Sequence, residues 1–127
     1  MREKDFQTNF GKWLKFNKML GVFELKVSKG SSIPFSALEP HQEEALFNAE
    51  FEHIYYKIPD SGYQNPFDCF LLKGIPANVV VMFNVPKNKK EFIMISILKW
   101  KYIKQNSKRK SLTEVKAKEM GTIHYLN

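Results

Sequence analysis

The chain has 127 residues, of which 43% are apolar and 14% aromatic, a composition that favours one folded domain spanning residues 1–127 over a disordered chain. No apolar run approaches the roughly 20 residues that a membrane-spanning helix needs, and the N-terminus lacks the apolar core of a secretory signal, so we expect a cytoplasmic protein without membrane contact. Twenty Lys and Arg against 13 Asp and Glu give a net charge of +7, which favours a polyanionic partner such as nucleic acid, with simple solubility as the alternative. The single cysteine, Cys69, excludes an internal disulfide and a thiolate-rich metal site.

The first predicted element is an amphipathic helix over residues 3 to 19. Apolar side chains recur at the i, i+4, i+7 and i+8 spacing of one helix face, and lysines occupy the rest of the cylinder. We expect this helix to pack on the core with a solvated basic side and to end before Gly21. The residues of the apolar face are Phe6, Phe10, Trp13 and Leu14.

A charged pair inside an apolar strand follows, at residues 23 to 27. Phe23, Leu25 and Val27 alternate with Glu24 and Lys26, so a strand of period 2 presents both charges on one face. A carboxylate and an ammonium held side by side can bind a divalent cation and steer a water molecule. In the alternative, the two charges only pair with neighbouring groups in a structural or regulatory protein.

A polar loop over residues 28 to 36 leads from this strand into a second helix. The loop contains serines that can donate to phosphate, but it lacks the G-x-x-x-x-G-K pattern of a P-loop. Pro40 suits the first position of a helix running to about Ala49, where its missing N–H costs nothing. Gln42 shares a helix face with apolar residues, so its amide needs a partner, either in a satisfied core or in a functional site.

Asp68 is an acidic residue inside an apolar run. Residues 54 to 56 favour a short strand and residues 59 to 62 a turn, after which Asp68 lies two residues into an otherwise apolar run, between Phe67 and Cys69-Phe-Leu-Leu72. A carboxylate in such a setting is costly unless it is exposed at a strand end, paired or bound to metal. Asp68 is therefore a candidate functional residue when it is considered together with Glu24 and Lys26.

The rest of the chain predicts two core strands, a basic segment and a final helix. Residues 78 to 85 are apolar on both faces, as is typical of a central strand, and a basic hairpin loop at 86 to 90 leads to a strand at 91 to 97. From 99 to 110 cations alternate with Trp100 and Tyr102, which suits a nucleic-acid backbone and its bases, although a solvated segment would look similar. Ser111 and Glu114 fit a capping box that opens a short helix closed by Gly121.

This order of elements indicates an α/β protein with a mixed central β-sheet flanked by helices. Within it, the strand containing Glu24-Leu25-Lys26, the serine-containing loop and the helix opening His41-Gln42 resemble the PD-(D/E)xK nuclease superfamily. The run resembles more closely the RecU-type Holliday junction resolvases and related phage recombination nucleases. The match covers residues 22 to 46 and implies a restriction-endonuclease-like core.

The resemblance also implies roles for individual residues. Glu24 and a second carboxylate, helped by the backbone carbonyl of Leu25, would hold Mg2+ or Mn2+ against the scissile phosphate. Lys26 would orient or help deprotonate the attacking water, Gln42 would position the water, the phosphate or Lys26, and cleavage would leave a 5' phosphate and a 3' hydroxyl. Candidates for contacts with the DNA backbone are Lys29, Ser31, Ser32, Lys99, Lys101, Lys108 and Arg109.

The second metal ligand departs from the family pattern. The family carries this Asp on a strand before the E-x-K, but no carboxylate lies between Asp5 and Glu24 in this chain. We expect Asp68 to fill the same space from a later strand, and we rank Asp60, part of a literal Pro-Asp pair, second.

Taken together, the sequence predicts a metal-dependent, structure-selective DNA endonuclease that acts on branched or junction DNA. A homodimer is expected, because resolving a junction requires two symmetric cuts. The alternative is a catalytically inactive, basic nucleic-acid-binding module of the same fold.

Overall fold

The computed structural model describes residues 2–58, 68–83 and 90–126. The helices in these ranges are α1 (Glu3–Asn17), α2 (Pro40–Phe51), α3 (Ile97–Asn106) and α4 (Glu114–Met120). The strands in these ranges are β1 (Val22–Ser28), β2 (Ser32–Pro34), β3 (His53–Lys57), β4 (Cys69–Lys73), β5 (Ala77–Phe83), β6 (Glu91–Ser96), β7 (Ser111–Thr113) and β8 (Thr122–Tyr125).

A mixed four-stranded sheet forms the centre of the described structure, in the order β1-β5-β6-β8. Strand β1 runs parallel to β5, whereas β6 is antiparallel to both β5 and β8. Two smaller antiparallel pairs, β2 with β7 and β3 with β4, lie outside this sheet. The predicted α/β class with a mixed central sheet flanked by helices is therefore confirmed.

One face of the central sheet is covered by α1. Phe6 and Phe10 of this helix are buried against sheet residues that include Phe92, whose ring centroid lies 5.5 Å from that of Phe10. Burying each such side chain contributes about 1.5–3 kcal/mol relative to leaving it exposed. The apolar residues of β1 pack on this same face: Phe23, Leu25 and Val27.

The opposite face is covered by α2, α3 and α4. Leu46 of α2, Trp100 of α3 and Ala117 of α4 are all buried in one cluster with Val79 and Val81 of β5. Since β1 and β5 are parallel in register, Glu24 lies beside Val79 and Lys26 beside Val81. Alternation along β1 thus directs both charged side chains toward the helical layer that contains α2.

The two predicted core strands are confirmed as β5 and β6, and the predicted first and second helices are confirmed as α1 and α2. The helix predicted over residues 3 to 19 ends at Asn17, because Lys18 adopts the left-handed conformation (φ 51°) and terminates it. Gly21 serves a different need: its φ is +153°, and a Cβ there would lie 2.8 Å from the carbonyl oxygen of Pro76.

The capping box predicted at Ser111 is wrong in position. Ser111 belongs to β7, and the residue that caps α4 is Thr113, whose side chain accepts a hydrogen bond of 3.2 Å from the Lys116 N–H. Burial of Leu112 against the core and pairing of β7 with β2 hold this segment extended. Gly121 closes the helix as predicted.

Two predicted turns fall on residues that lie wholly or mostly outside the described ranges, namely 59–62 and 86–90. None of the helices in the described part of the chain is long and apolar enough to cross a membrane.

Candidate active site

The charged pair of β1 is the centre of the candidate site. The Lys26 Nζ lies 3.4 Å from the Glu24 Oε1, and 15% of the Lys26 side chain and 30% of the Glu24 side chain are exposed. The pair is therefore partly desolvated but still reachable from solvent. The prediction that both residues share one face of the strand is confirmed by this contact.

Gln42 joins the pair from the first turn of α2. Its Nε2 donates a hydrogen bond of 3.0 Å to the same Glu24 Oε1, and its Oε1 accepts one of 3.0 Å from the backbone N–H of Glu39. Both ends of the amide are thus occupied, which fixes its orientation. Within the described residues no hydrogen bond or ion pair is made by the second Glu24 oxygen, Oε2.

Helix α2 is held in place at its other end. The Ala49 carbonyl accepts a hydrogen bond of 2.9 Å from the Ile75 N–H, and the Glu50 Oε1 accepts one of 2.9 Å from the Ala77 N–H at the start of β5. These bonds tie the end of the helix to the strand that neighbours β1. The position of Gln42 relative to Glu24 is therefore set by the core of the protein.

A cavity of about 470 Å³ opens beside Glu24 and Gln42. The start of β1, one side of α2 and the first half of β3 form its walls. Tyr55 lies at the β3 side, and a hydrogen bond with the Cys69 side chain raises the pKa of its phenol. The side chains around the cavity are those of Val22, Phe23, Glu24, His41, Gln42, Ala45, Leu46, Asn48, His53, Ile54 and Tyr55.

The loop after β1 is organised by Ser28. This serine is buried, its hydroxyl bonds to the carbonyl of Ser32, and it accepts a hydrogen bond of 3.3 Å from the Gly30 N–H. Part of the predicted loop is strand β2, which begins at Ser32. The predicted DNA contacts Lys29, Ser31 and Ser32 are all exposed on this loop.

Asp68 is placed apart from this cluster. It is exposed just before β4, and its backbone carbonyl accepts a hydrogen bond of 2.7 Å from the Ile58 N–H. Asp68 is not among the described residues that line the cavity. Because Tyr55 pairs with Leu71, Asp68 lies roughly 10 Å further along the hairpin. Asp60, the other candidate, lies outside the described residues.

The oxygen donors on β1 suit a hard divalent cation. Mg2+ binds through one or two carboxylates together with carbonyl and water oxygens, and Glu24 and the Leu25 carbonyl supply that chemistry. The free Glu24 Oε2 is the atom available to such an ion. Within the described ranges no group of three or more His, Cys, Asp or Glu residues is positioned to hold a metal.

The basic segment after β6 differs in part from its prediction. Trp100 is completely buried in the core and cannot stack on a base, because the segment is a helix and Trp100 shares its inward face with Ile97 and Ile103. Tyr102 is 59% exposed, and the Lys101 Nζ lies 4.4 Å from the ring centroid of Phe47. The remaining predicted contacts of this segment are exposed: Lys99, Lys108 and Arg109.

Two supporting residues were not predicted from the sequence. Glu39 supplies the backbone N–H that orients Gln42, and Glu43 forms an ion pair of 3.1 Å with Lys104 that links α2 to α3. The spacing Glu39-Pro-His-Gln42 is that of an N-cap and an N3 residue, which is a signal for the first of these contacts.

Comparison of the chain with protein-family models, with curated proteins and with solved structures gave no match.

Proposed function

We propose that this protein is a metal-dependent DNA endonuclease with a restriction-endonuclease-like core, acting on branched DNA as a homodimer. The observation that carries the proposal is the cluster in which Lys26 and Gln42 both contact the Glu24 carboxylate at the rim of an open cavity. Metal-dependent hydrolysis of a phosphodiester is promoted by a carboxylate that holds a cation, by a nearby ammonium and by polar groups that orient them.

The protein side chains have separable tasks in this proposal. Lys26, held beside Glu24, places a positive charge where the phosphoryl oxygens gain negative charge, and it orients the attacking water. Gln42 fixes the Glu24 carboxylate, so that Oε2 keeps its direction. The apolar residues of the cavity wall lower the polarity on one side of the pair, which strengthens these electrostatic interactions.

The cofactor of the proposal is Mg2+ or Mn2+. Glu24, the Leu25 carbonyl and Asp68 would hold it, and when bound it would neutralise charge on the scissile phosphate. For Asp68 to reach the cation, the β3–β4 hairpin would have to shift towards Glu24. The described part of this hairpin is two-stranded and largely exposed on both faces. Such a shift is feasible because a two-stranded hairpin alone is marginally stable in water.

The basic exposed residues support DNA as the substrate. Lys29, Ser31 and Ser32 follow directly on β1 and would contact the phosphates that flank the scissile bond. Further phosphate contacts are assigned to Lys99, Lys101, Lys108 and Arg109. The homodimer is part of the proposal because a single active site makes one of the two cuts that a junction requires.

The test is cleavage of four-way junctions, nicked duplexes and linear duplexes with Mg2+ and with chelator. We compare the wild type with Lys26→Ala and with the control Lys12→Ala, which removes an exposed lysine from α1. Loss of the catalytic lysine should lower the cleavage rate by about 10²- to 10⁴-fold. The control should cleave at the wild-type rate, and circular dichroism should show that both variants are folded at the assay temperature.

The position of Asp68 outside the cavity favours the second candidate, a nucleic-acid-binding module that has lost catalysis. In that case the wild type and Lys26→Ala would both bind junction DNA and leave every substrate intact. Metal-dependent cleavage that Lys26→Ala does not reduce would contradict the assignment of Lys26.

A further inference from the structure

A second cavity, of about 320 Å³, lies on the α3 side of the molecule, away from Glu24. The end of α3, strand β7 and the start of α4 form its walls. Its size falls at the lower end of the range of about 300–1,000 Å³ that holds small ligands. The side chains that line it are those of Tyr102, Ile103, Asn106, Ser107, Arg109, Ser111, Leu112, Thr113 and Lys116.

The charge of this cavity suits a phosphate. Arg109 and Lys116 are both at its wall, and none of the described residues that line it is acidic. Lys116 has one exposed ion pair, of 3.5 Å, with Glu119, whereas the Arg109 guanidinium has no ion pair or hydrogen bond within the described residues. A free guanidinium offers a fork of donors that matches phosphate oxygens.

The hydroxyl groups of the cavity are arranged as donors. The Ser107 Oγ accepts a hydrogen bond of 3.1 Å from the Arg109 N–H, and the Thr113 Oγ1 accepts one of 3.2 Å from the Lys116 N–H. Each hydroxyl therefore keeps its own hydrogen for a ligand oxygen.

An aromatic ring completes the cavity. Tyr102 is 59% exposed at its edge, although Ile103 beside it is buried in the core and holds the helix in place. An exposed ring next to cations is the arrangement on which a base of single-stranded nucleic acid stacks. Asn106 adds an amide whose Nδ2 is bonded to the Tyr102 carbonyl at 2.8 Å, which leaves its oxygen to accept from a base.

Strand β7, which lines this cavity, is bonded to the segment that follows the candidate active site. Thr113 of β7 pairs with Ser32 of β2, and the Glu114 N–H donates a hydrogen bond of 2.8 Å to the Ser31 carbonyl. Ser31 and Ser32, which are candidate phosphate contacts, are therefore directly bonded to the segment that forms one wall of the cavity.

From these observations we infer that the cavity binds one unpaired nucleotide of single-stranded DNA, with its base on Tyr102 and its phosphate on Arg109 and Lys116. Bases inside a duplex are stacked and cannot enter such a cavity, so the site selects DNA with unpaired residues near the cleavage point. The inference rests on the proposed function, since it names the DNA feature that the nuclease would recognise.

The test measures binding in the presence of chelator, by fluorescence anisotropy of labelled oligo(dT) and of a blunt duplex at one fixed salt concentration. Tyr102→Ala should weaken oligo(dT) binding by about 5- to 100-fold, because stacking is lost, while Tyr102→Phe should bind as the wild type does. The double variant Arg109→Ala/Lys116→Ala should also weaken oligo(dT) binding, and the control Lys12→Ala should not. Duplex binding should change less than about twofold for Tyr102→Ala, because duplex affinity depends on phosphate contacts.

Equal oligo(dT) binding by wild type, Tyr102→Ala and the double variant, all folded by circular dichroism, would overturn the inference. Equal losses of oligo(dT) and duplex binding for Tyr102→Ala would also overturn it, since the ring would then not distinguish unpaired bases. A protein that binds oligo(dT) through Tyr102 but cleaves nothing would instead contradict the proposed nuclease and leave the cavity assignment supported.

Discussion

The central sheet and the β3–β4 hairpin are both built from strands rich in apolar side chains, but only the sheet buries them. Val79, Val80 and Val81 of β5 are fully buried, whereas Leu71 of β4 is 59% exposed and its neighbours in the hairpin are exposed as well. A strand with helices on both faces is fixed by its packing, and a two-stranded pair without such cover is not.

This difference separates the two halves of the proposed site. Glu24 and Lys26 lie on β1, which is paired to the buried strand β5. Gln42 lies on α2, and the end of this helix is also bonded to β5. Asp68 lies on the exposed hairpin. One proposed ligand is thus held by the core, while the other proposed ligand lies on an element of low intrinsic stability.

The largest effect is expected from truncating one apolar side chain in each of the two regions. Phe92→Ala in the sheet should lower the free energy of unfolding by about 3–5 kcal/mol, because it leaves a cavity between α1 and the sheet. Leu71→Ala in the hairpin should change it by less than about 0.5 kcal/mol. Urea unfolding measures both, and a large loss for Leu71→Ala would show that the hairpin is buried in solution, as in an assembly of copies.

The next effect concerns activity alone. Asp68→Asn should lower metal-dependent cleavage by about 100-fold or more, since losing even an outer partner of a metal ligand costs about 10- to 100-fold. Its unfolding free energy should match that of the wild type, because the side chain is exposed. Asp60→Asn is the matched variant. If Asp68→Asn cleaves normally and Asp60→Asn loses cleavage, the second metal ligand is Asp60 and not Asp68.

The smallest effect is a pH dependence that resides in the sheet. Burial lowers the pKa of His124, which stacks on Phe92 with ring centroids 5.5 Å apart. The unfolded chain therefore takes up this proton at a higher pH than the folded one, so stability should fall as the pH drops below the ordinary His pKa of about 6.5. His124→Gln should flatten this decline in thermal unfolding between pH 7 and 5.

The parts of the structure that follow from local pattern could be predicted from the sequence. Alternation at Phe23 to Val27 predicted the common face of Glu24 and Lys26, and the inward position of Gln42 predicted that its amide needs a partner. In both cases the period of a single element determines where the side chain points.

The errors arose where tertiary burial overrides a local signal. The alternation of cations with Trp100 favoured an exposed segment, but Ile97, Trp100 and Ile103 follow helical spacing and are buried together. Ser111 has the spacing of a cap, but the burial of Leu112 and the pairing of β7 with β2 decide the backbone. The cavity at Tyr102 depends on that same pairing between distant segments, which no local pattern contains.

Cys69 allows the position of the β3–β4 hairpin relative to the central sheet to be measured directly. It is exposed, it is the single cysteine of the chain, and it is adjacent to Asp68. A fluorophore or spin label attached to this thiol would therefore report the position of the hairpin without any engineered attachment site. A label at Cys69 would show whether the hairpin moves towards Glu24, the movement that the proposed role of Asp68 as second metal ligand requires.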